Sequence, residues 1–115
     1  MPPVEPSSSW LRGVLPLALA AVLDQGDQHG YALVQELKAH GFGAIRGGAL
    51  YPVLGRMEND GLVEAHWEPG EGGPGRKVYR LTDLGRSQLR AQTTSWRQFA
   101  EAMNQLLDGV KKESS

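Results

Sequence analysis

The clearest pattern of hydrophobic and polar positions lies near the middle of the chain. Its apolar residues recur at helical spacing: Leu50, Val53, Leu54 and Met57. The pattern predicts a short helix that begins near Ala49, holds Pro52 in its first turn and ends at Gly61. The opposite face carries small residues, one proline and one arginine, with an aromatic hydroxyl at its flank: Gly48, Pro52, Gly55, Arg56, Asn59 and Tyr51. Such a face lets a backbone approach a large partner, and arginine and tyrosine side chains reach phosphates or base edges.

A second helix with an apolar stripe precedes the central one. It is predicted to run from about Gly30 to Ala39 after a turn signal at residues 26–28. Its predicted inner face consists of Tyr31, Leu33, Val34 and Leu37. Two short helices joined by a glycine-containing segment, the second with the reactive face, are typical of a helix-turn-helix.

A third apolar run lies nearer the N-terminus. It predicts a buried helix from about Leu15, with Pro16 in the first turn. Trp10, Leu11 and Val14 precede this predicted helix and are available to pack on another surface. The run is too short to span a bilayer, and neither a basic segment before it nor a small-residue cleavage site after it indicates a signal peptide.

A β-hairpin is predicted directly after the central helix. Residues Leu62–Trp67 alternate loosely between apolar and polar side chains, and Glu68–Gly75 is glycine- and proline-rich turn material. Residues Arg76–Leu81 return as a strand whose two faces are Arg76, Val78 and Arg80 on one side and Lys77, Tyr79 and Leu81 on the other. Three helices followed by a hairpin form a winged helix.

A long final helix is predicted to follow, capped by Thr82 and Asp83. Its second half carries an apolar seam with the alternating steps of three and four that are typical of a coiled coil: Trp96, Phe99, Met103, Leu106 and Val110. A monomeric winged helix has no use for a seam that reaches beyond its hairpin. We therefore predict a homodimer, in which the seam packs on the partner's last helix or on the Trp10–Val14 segment.

Composition limits the classes of protein to which the chain can belong. Its 115 residues suffice for one domain, and 40% apolar with 22% charged residues is ordinary for a soluble globular protein. The absence of cysteine excludes disulfides and thiolate metal sites and agrees with a cytoplasmic location. A net charge of −1 by itself argues against nucleic-acid binding, although residues Arg76–Arg90 form a local basic stripe.

Catalytic and metal sites find no support in the sequence. The three histidines lack metal-ligand spacing, and His29 is expected to cap or pack at a helix start. No serine lies in a nucleophile-elbow context, and no pair of carboxylates separates an acid from a base. The segment Gly70–Gly75 lacks the Gly-Lys-Ser/Thr ending of a phosphate loop. We expect no enzymatic activity, no cofactor and no bound metal.

Several motifs in the right order resemble the PadR family of winged-helix transcriptional regulators. Leu50-Tyr51-Pro52, continued by residues 57–63, is similar to the recognition helix of that family. His29-Gly30-Tyr31 is similar to the opening of its preceding helix, and residues 75–86 to its second wing strand and the start of its last helix. Gly47 and Gly48 stand where the family more often has a serine or threonine cap, so we expect a looser helix start.

The resemblance implies a ligand-responsive repressor that binds double-stranded DNA as a dimer on an inverted repeat. The predicted DNA contacts are Arg46, Gly47, Gly48, Tyr51, Pro52, Arg56, Arg76, Lys77 and Tyr79. The predicted dimer contacts are Trp10, Leu11, Val14, Trp96, Phe99, Met103, Leu106 and Val110. A wet pore at the dimer centre is an alternative to a dry seam. It would hold a small planar or aromatic effector between Trp96, Phe99, Gln92 and Trp67.

The predicted fold class is mainly α with a small β-hairpin wing. The organisation expected is a disordered tail over residues 1–9, a winged helix-turn-helix DNA-binding domain over 10–83, a dimerisation helix over 84–110 and a tail over 111–115. A different class of function stays open, in which the same faces dock a protein such as a sigma factor or another regulator. Net charge favours that alternative, whereas the motifs around Tyr51 and Arg76 favour DNA.

Overall fold

The fold is a winged helix extended by a long last helix, as predicted. A computed structural model describes residues 8–70 and 72–110. Its elements in chain order are α1 Ser8–Leu23, β1 Gln28–His29, α2 Gly30–Ala39, α3 Gly47–Asn59, β2 Val63–Gly70, β3 Gly73–Leu81 and α4 Asp83–Asp108. Of the tail predicted over residues 1–9, residues 1–7 lie outside the described residues, as does the tail predicted over residues 111–115. None of the helices in the described part of the chain is long and apolar enough to cross a membrane.

Helix α1 is longer than predicted. It begins at Ser8 rather than near Leu15, so Ser8 and Ser9 belong to the helix and Pro16 lies in its interior. Proline there omits one helical hydrogen bond and costs about 3 kcal/mol. The fully buried Leu15 and Leu19 on either side of it offset that cost, because burying each leucine contributes roughly 1.5–3 kcal/mol.

The hydrophobic core lies where α1, α2, α3 and β3 meet. Its large fully buried side chains come from all of these elements and from β2: Leu15, Leu19, Leu23, Leu33, Leu37, Leu50, Leu54, Leu81 and Val63. Leu33 and Leu37 confirm the predicted inner face of α2. The assignment of Tyr31 to that face was wrong, because Tyr31 is 65% exposed and its ring lies on the side of the helix toward the sheet.

Helix α3 has the predicted buried face of Leu50, Val53, Leu54 and Met57, and the opposite face is exposed. It begins at Gly47 rather than Ala49, so Pro52 falls in the second turn. No side chain caps its start; the Arg46 carbonyl accepts hydrogen bonds from the amides of Ala49 and Leu50.

The predicted stop of α3 at Gly61 is confirmed. Gly61 has a positive φ of 77°, a left-handed conformation that costs glycine little. The Leu62 amide donates to the Met57 carbonyl at 2.9 Å and the Gly61 amide to the Glu58 carbonyl at 3.1 Å. These two bonds form a Schellman motif, which satisfies the last carbonyls of the helix and turns the chain into the hairpin.

The sheet has three antiparallel strands in the order β1-β3-β2. The hairpin strands extend to Gly70 and Gly73, further into the glycine-rich segment than predicted, with an irregular register between Glu68 and Gly70. Strand β1 was missed, since two residues are too short to show alternation; Gln28 pairs with Tyr79 and His29 with Val78. As the central strand, β3 buries both Val78 and Tyr79, although alternation assigned them to opposite faces.

The predicted cap of α4 is confirmed. The Thr82 hydroxyl oxygen accepts a hydrogen bond from the Gly85 amide at 3.0 Å, and the same hydroxyl donates to the Gly61 carbonyl at 2.6 Å. Asp83 lies in the first turn, where a carboxylate interacts favourably with the helix dipole. One side chain therefore joins the start of α4 to the end of α3.

Candidate nucleic-acid interface

Tyr51 is held on the outer side of α3 by two glycines. Its ring packs against the start of α2, where a Cβ atom built on Gly30 would lie 2.5 Å from the tyrosine hydroxyl. On its own helix the ring also lies against Gly47, whose Cβ would be 3.3 Å from ring atoms. Tyr51 nevertheless remains 51% exposed. The absence of a side chain at Gly30 therefore positions the ring while one side of it stays available to a partner.

The exposed face of α3 also carries unpaired positive charge. Arg46, just before the helix, and Arg56, in its last turns, are both exposed. Neither arginine forms an ion pair with any residue in the described ranges. Between the two arginines lie Gly48, Pro52 and Gly55, whose small side chains project little from the helix surface. The predicted contact residues of α3 thus share one open, locally basic face.

A groove of about 520 Å³ separates this face from the β-hairpin. Residues from β1, α2, α3 and both hairpin strands line it: His29, Tyr31, Tyr51, Glu58, Trp67, Arg76, Lys77 and Tyr79, with Gly30 and Gly55. The fold therefore places the recognition helix and the wing on two sides of one concave surface. Sequence reasoning did not identify Tyr31, Glu58 or Trp67 as part of this surface, because nothing in the local pattern places them together.

The two wing cations differ in their surroundings. The exposed Arg76 lies near the edge of the sheet, with its Nη1 atom 3.4 Å from His29 Nε2. Lys77 is less exposed; its Nζ atom lies 3.4 Å from a carboxylate oxygen of Glu58 on α3 and 5.5 Å from the centre of the Tyr79 ring. Arg76 is consequently the wing cation that remains open to a phosphate, whereas Lys77 connects the wing to α3.

Tyr79 lines the wing groove but has little exposed surface for the predicted DNA contact. Tyr79 is only 5% exposed and belongs to the hydrophobic core, because β3 is the central strand. Loss of solvent raises the pKa of its hydroxyl, while the nearby Lys77 ammonium opposes this change. His29 caps α2 as expected, because its Nδ1 atom accepts a hydrogen bond from the Ala32 amide at 3.3 Å.

A second surface lies between α1 and α4, away from the wing groove. The predicted dimer residues on it include large exposed side chains: Trp10, Phe99, Leu106 and Val110, each more than 60% exposed, and Trp96 and Met103, each more than 40% exposed. Trp10, Trp96, Phe99 and Met103 line an apolar groove of about 700 Å³, to which Leu17 and Leu107 also contribute, whereas Leu106 and Val110 do not line it. Trp96 and Phe99 pack on each other with ring centres 6.2 Å apart. An exposed apolar surface of this kind marks an interaction site.

The four residues predicted for an effector do not share one site. Trp96 and Phe99 line the α1–α4 groove. Gln92 lines a separate small cavity with Pro16 and Met57, because the turn of the helix directs Thr93 rather than Gln92 toward Trp10. Trp67 lies in the wing groove, since it belongs to β2. Within this chain, Gln92 and Trp67 therefore do not lie beside Trp96.

Comparison with known proteins agrees with this architecture. The family model of the PadR-like transcriptional regulators matches residues 19–91. A transcriptional regulator of Mycobacterium tuberculosis is 40% identical over 81 residues, which cover 70% of this chain and 71% of that protein. The crystal structure of a PadR-like transcriptional regulator from Bacillus cereus is 36% identical with a TM-score of 0.79, covering 89% of this chain and 99% of that one. A PadR family regulator from Eggerthella lenta is 35% identical with a TM-score of 0.78, covering 88% of each chain.

Proposed function

This chain belongs to the PadR-like family of transcriptional regulators, and from that membership we propose that it is a repressor that binds an inverted-repeat operator as a homodimer. The observation that carries the proposal is the exposed face of α3, on which Tyr51, Arg46 and Arg56 lie beside the wing groove, the two arginines without an ion-pair partner among the described residues. A helix face with small side chains, an aromatic ring and guanidinium groups fits a major groove, where the base edges present hydrogen-bond acceptors and methyl groups.

The residues of this face would have distinct roles. Arg46 and Arg56 neutralise phosphates or read guanine edges, and Tyr51 contacts a base or the backbone from its fixed position. Gly48, Pro52 and Gly55 allow the helix backbone to approach the bases. Arg76 on the wing contacts the flanking phosphate backbone. In a dimer, the two copies of α3 would enter successive major grooves, about one helical turn apart.

The test is fluorescence anisotropy of labelled DNA from upstream of the protein's own gene, over a series of salt concentrations. We expect tight binding by the wild type and weaker binding by Tyr51→Ala, by about tenfold or more, because a positioned contact is lost. Arg56→Ala should reduce the slope of log affinity against log salt by about 0.9 for each phosphate contact removed. The matched control is Arg80→Ala, since Arg80 pairs with Glu64 outside the groove.

Absence of specific DNA binding in this test would favour the alternative function, in which the same faces dock another protein. The net charge of −1 and the pairing of Lys77 with Glu58 are the features that favour a protein partner over DNA. Docking of a protein would give a shallow salt dependence, because few counterions are released. Shallow, sequence-independent binding of DNA by the wild type would therefore contradict the repressor proposal.

We further propose that a small-molecule effector regulates DNA binding. The α1–α4 groove presents Trp96 and Phe99 as exposed rings tilted at 48° to each other, which suit a small planar or aromatic molecule at the dimer centre. Such a ligand would derepress only if it binds the DNA-free protein more tightly than the DNA-bound one. Titration of planar cations and phenolic acids against wild type and Trp96→Ala tests this. Equal affinity for free and DNA-bound protein would rule out the compound tested.

A further inference from the structure

Trp67 is an exposed aromatic residue that belongs neither to the hydrophobic core nor to the α1–α4 groove. It lies on β2 opposite Lys77 of β3 and is 70% exposed. The hairpin backbone supports its ring, since a Cβ atom built on Gly75 would lie 3.7 Å from Trp67 Cε3. The indole therefore rests on the wing and lines the same groove as Tyr51 and Arg76.

The position of this groove indicates what would cover Trp67. In a winged helix on DNA, the recognition helix enters the major groove and the wing reaches the neighbouring backbone or minor groove. The sugar–phosphate strand that separates the two DNA grooves must then pass between α3 and the hairpin. The aromatic rings of Tyr31, Tyr51 and Trp67 line this passage, and Arg76 supplies positive charge beside them. An apolar wall with a cation at its side matches the two parts of that strand, deoxyribose and phosphate.

We propose that Trp67 packs its indole on the deoxyribose rings of this strand, while Arg76 contacts an adjacent phosphate. The inference rests on the proposed DNA-binding function and adds to it a specific contact. A tryptophan has a single hydrogen-bond donor and a large apolar surface, so its contribution comes from burial rather than from charge. Deoxyribose is the same in every nucleotide. Trp67 therefore contributes affinity that is independent of both sequence and salt.

The experiment compares Trp67→Ala, Trp67→Phe and Arg76→Ala on the operator and on a scrambled duplex of the same length, each over a salt series. Trp67→Ala should weaken binding to both duplexes by the same factor, about tenfold, with an unchanged salt slope. Trp67→Phe should retain most of the affinity, because the smaller ring still packs on the sugar. Arg76→Ala should lower the salt slope by about 0.9.

The outcomes separate this inference from the function on which it rests. Absence of DNA binding by the wild type overturns both. Normal wild-type binding with an unchanged Kd in Trp67→Ala overturns only the Trp67 contact. A loss confined to the operator would indicate a base contact and would also overturn the sugar assignment.

A second measurement excludes a purely structural effect. Trp67 is largely exposed, so Trp67→Ala should leave the Tm close to the wild-type value. DNA should change the tryptophan emission of the wild type, and this change should disappear in Trp67→Phe although Trp10 and Trp96 remain. Persistence of the change in Trp67→Phe would contradict burial of this indole by DNA.

Discussion

The contact between Tyr51 and Gly30 links two sequence motifs at the scale of single residues. Gly30 begins α2, and the Tyr51 ring occupies the space that a side chain at Gly30 would need. Because the ring is half exposed, it can move aside without disturbing the core. A substitution at Gly30 should therefore affect the orientation of Tyr51 more than the stability of the fold.

We predict that Gly30→Ala lowers operator affinity by about tenfold, since a displaced Tyr51 loses its contact. The Tm should not fall, because alanine in a helix is favoured over glycine by about 0.5–1 kcal/mol. Anisotropy and thermal unfolding measure the two effects. The control is the double variant with Tyr51→Ala, in which Gly30→Ala should cost nothing further. Additive losses would show that Gly30 acts independently of Tyr51.

The raised pKa of the buried residue Tyr79 predicts that the fold loses stability at alkaline pH. Burial raises the pKa of Tyr79 above its ordinary value of 10.0, so the folded state holds this proton more tightly than the unfolded state. The resulting stabilisation is complete below pH 10 and is lost as the pH rises through the folded-state pKa. Urea unfolding should be measured from about pH 9 to about pH 11, a range around the ordinary tyrosine pKa. The free energy of unfolding should fall more steeply with pH for the wild type than for Tyr79→Phe. Tyr31→Phe, which changes an exposed ring, is the matched control.

At the scale of elements, the ion pair of Glu58 and Lys77 joins α3 to the wing. Its partners lie on different elements and are both 39% exposed, so the pair orients the wing more than it stabilises the fold. The pair also removes one positive charge from the groove that we propose for DNA. The groove is therefore less positive than its cations alone would make it, in line with the overall charge of −1.

We predict that Glu58→Gln steepens the salt slope of DNA binding by about 0.9 and raises affinity at low salt, because Lys77 is released to contact a phosphate. The matched control is Glu64→Gln, which removes the same charge from the pair with Arg80 outside the groove. Equal effects of the two variants would indicate a change in net charge alone. A lower affinity for Glu58→Gln would show instead that the wing must be held in place by the pair.

At the scale of the whole molecule, the chain is elongated, with principal extents of 56 × 32 × 21 Å. The second half of α4 buries none of its residues within this chain, although its apolar side chains align with those of α1 along one groove. A second copy of the chain is the partner that would cover this groove in the proposed dimer. The interface would also set the distance between the two copies of α3, and hence the spacing of the operator half-sites.

We predict that Phe99→Glu converts the dimer to monomer at micromolar concentration, raising the dimer Kd by about a hundredfold or more, because two buried carboxylates would be introduced by symmetry. Sedimentation velocity measures the change. Gln98→Glu adds the same charge at the neighbouring position of α4 and should leave the dimer intact. A wild type that sediments as a monomer at all concentrations would contradict the proposed assembly.

Local patterns in the sequence determined most of the fold. The apolar stripe of α3, that of α2 apart from Tyr31, the stop at Gly61, the hairpin and the Thr82 cap are confirmed. Each depends on residues a few positions apart, whose periodicity or hydrogen bonding acts along the backbone. The start of α1 was wrong for a related reason: Pro16 suggested a first turn, but the cost of an interior proline is offset by burial of leucines around it.

Contacts between distant parts of the chain were decided only by the tertiary structure. Packing of the helices against the sheet placed Trp67 beside Tyr51, joined Lys77 to Glu58 and buried Tyr79. It also paired the two residues of β1 with β3. None of these contacts leaves a periodic signal, because each depends on which faces of separate elements meet. The sequence by itself therefore determined most of the elements and the exposed face of α3, whereas the three-dimensional arrangement added β1 and decided which side chains share the groove.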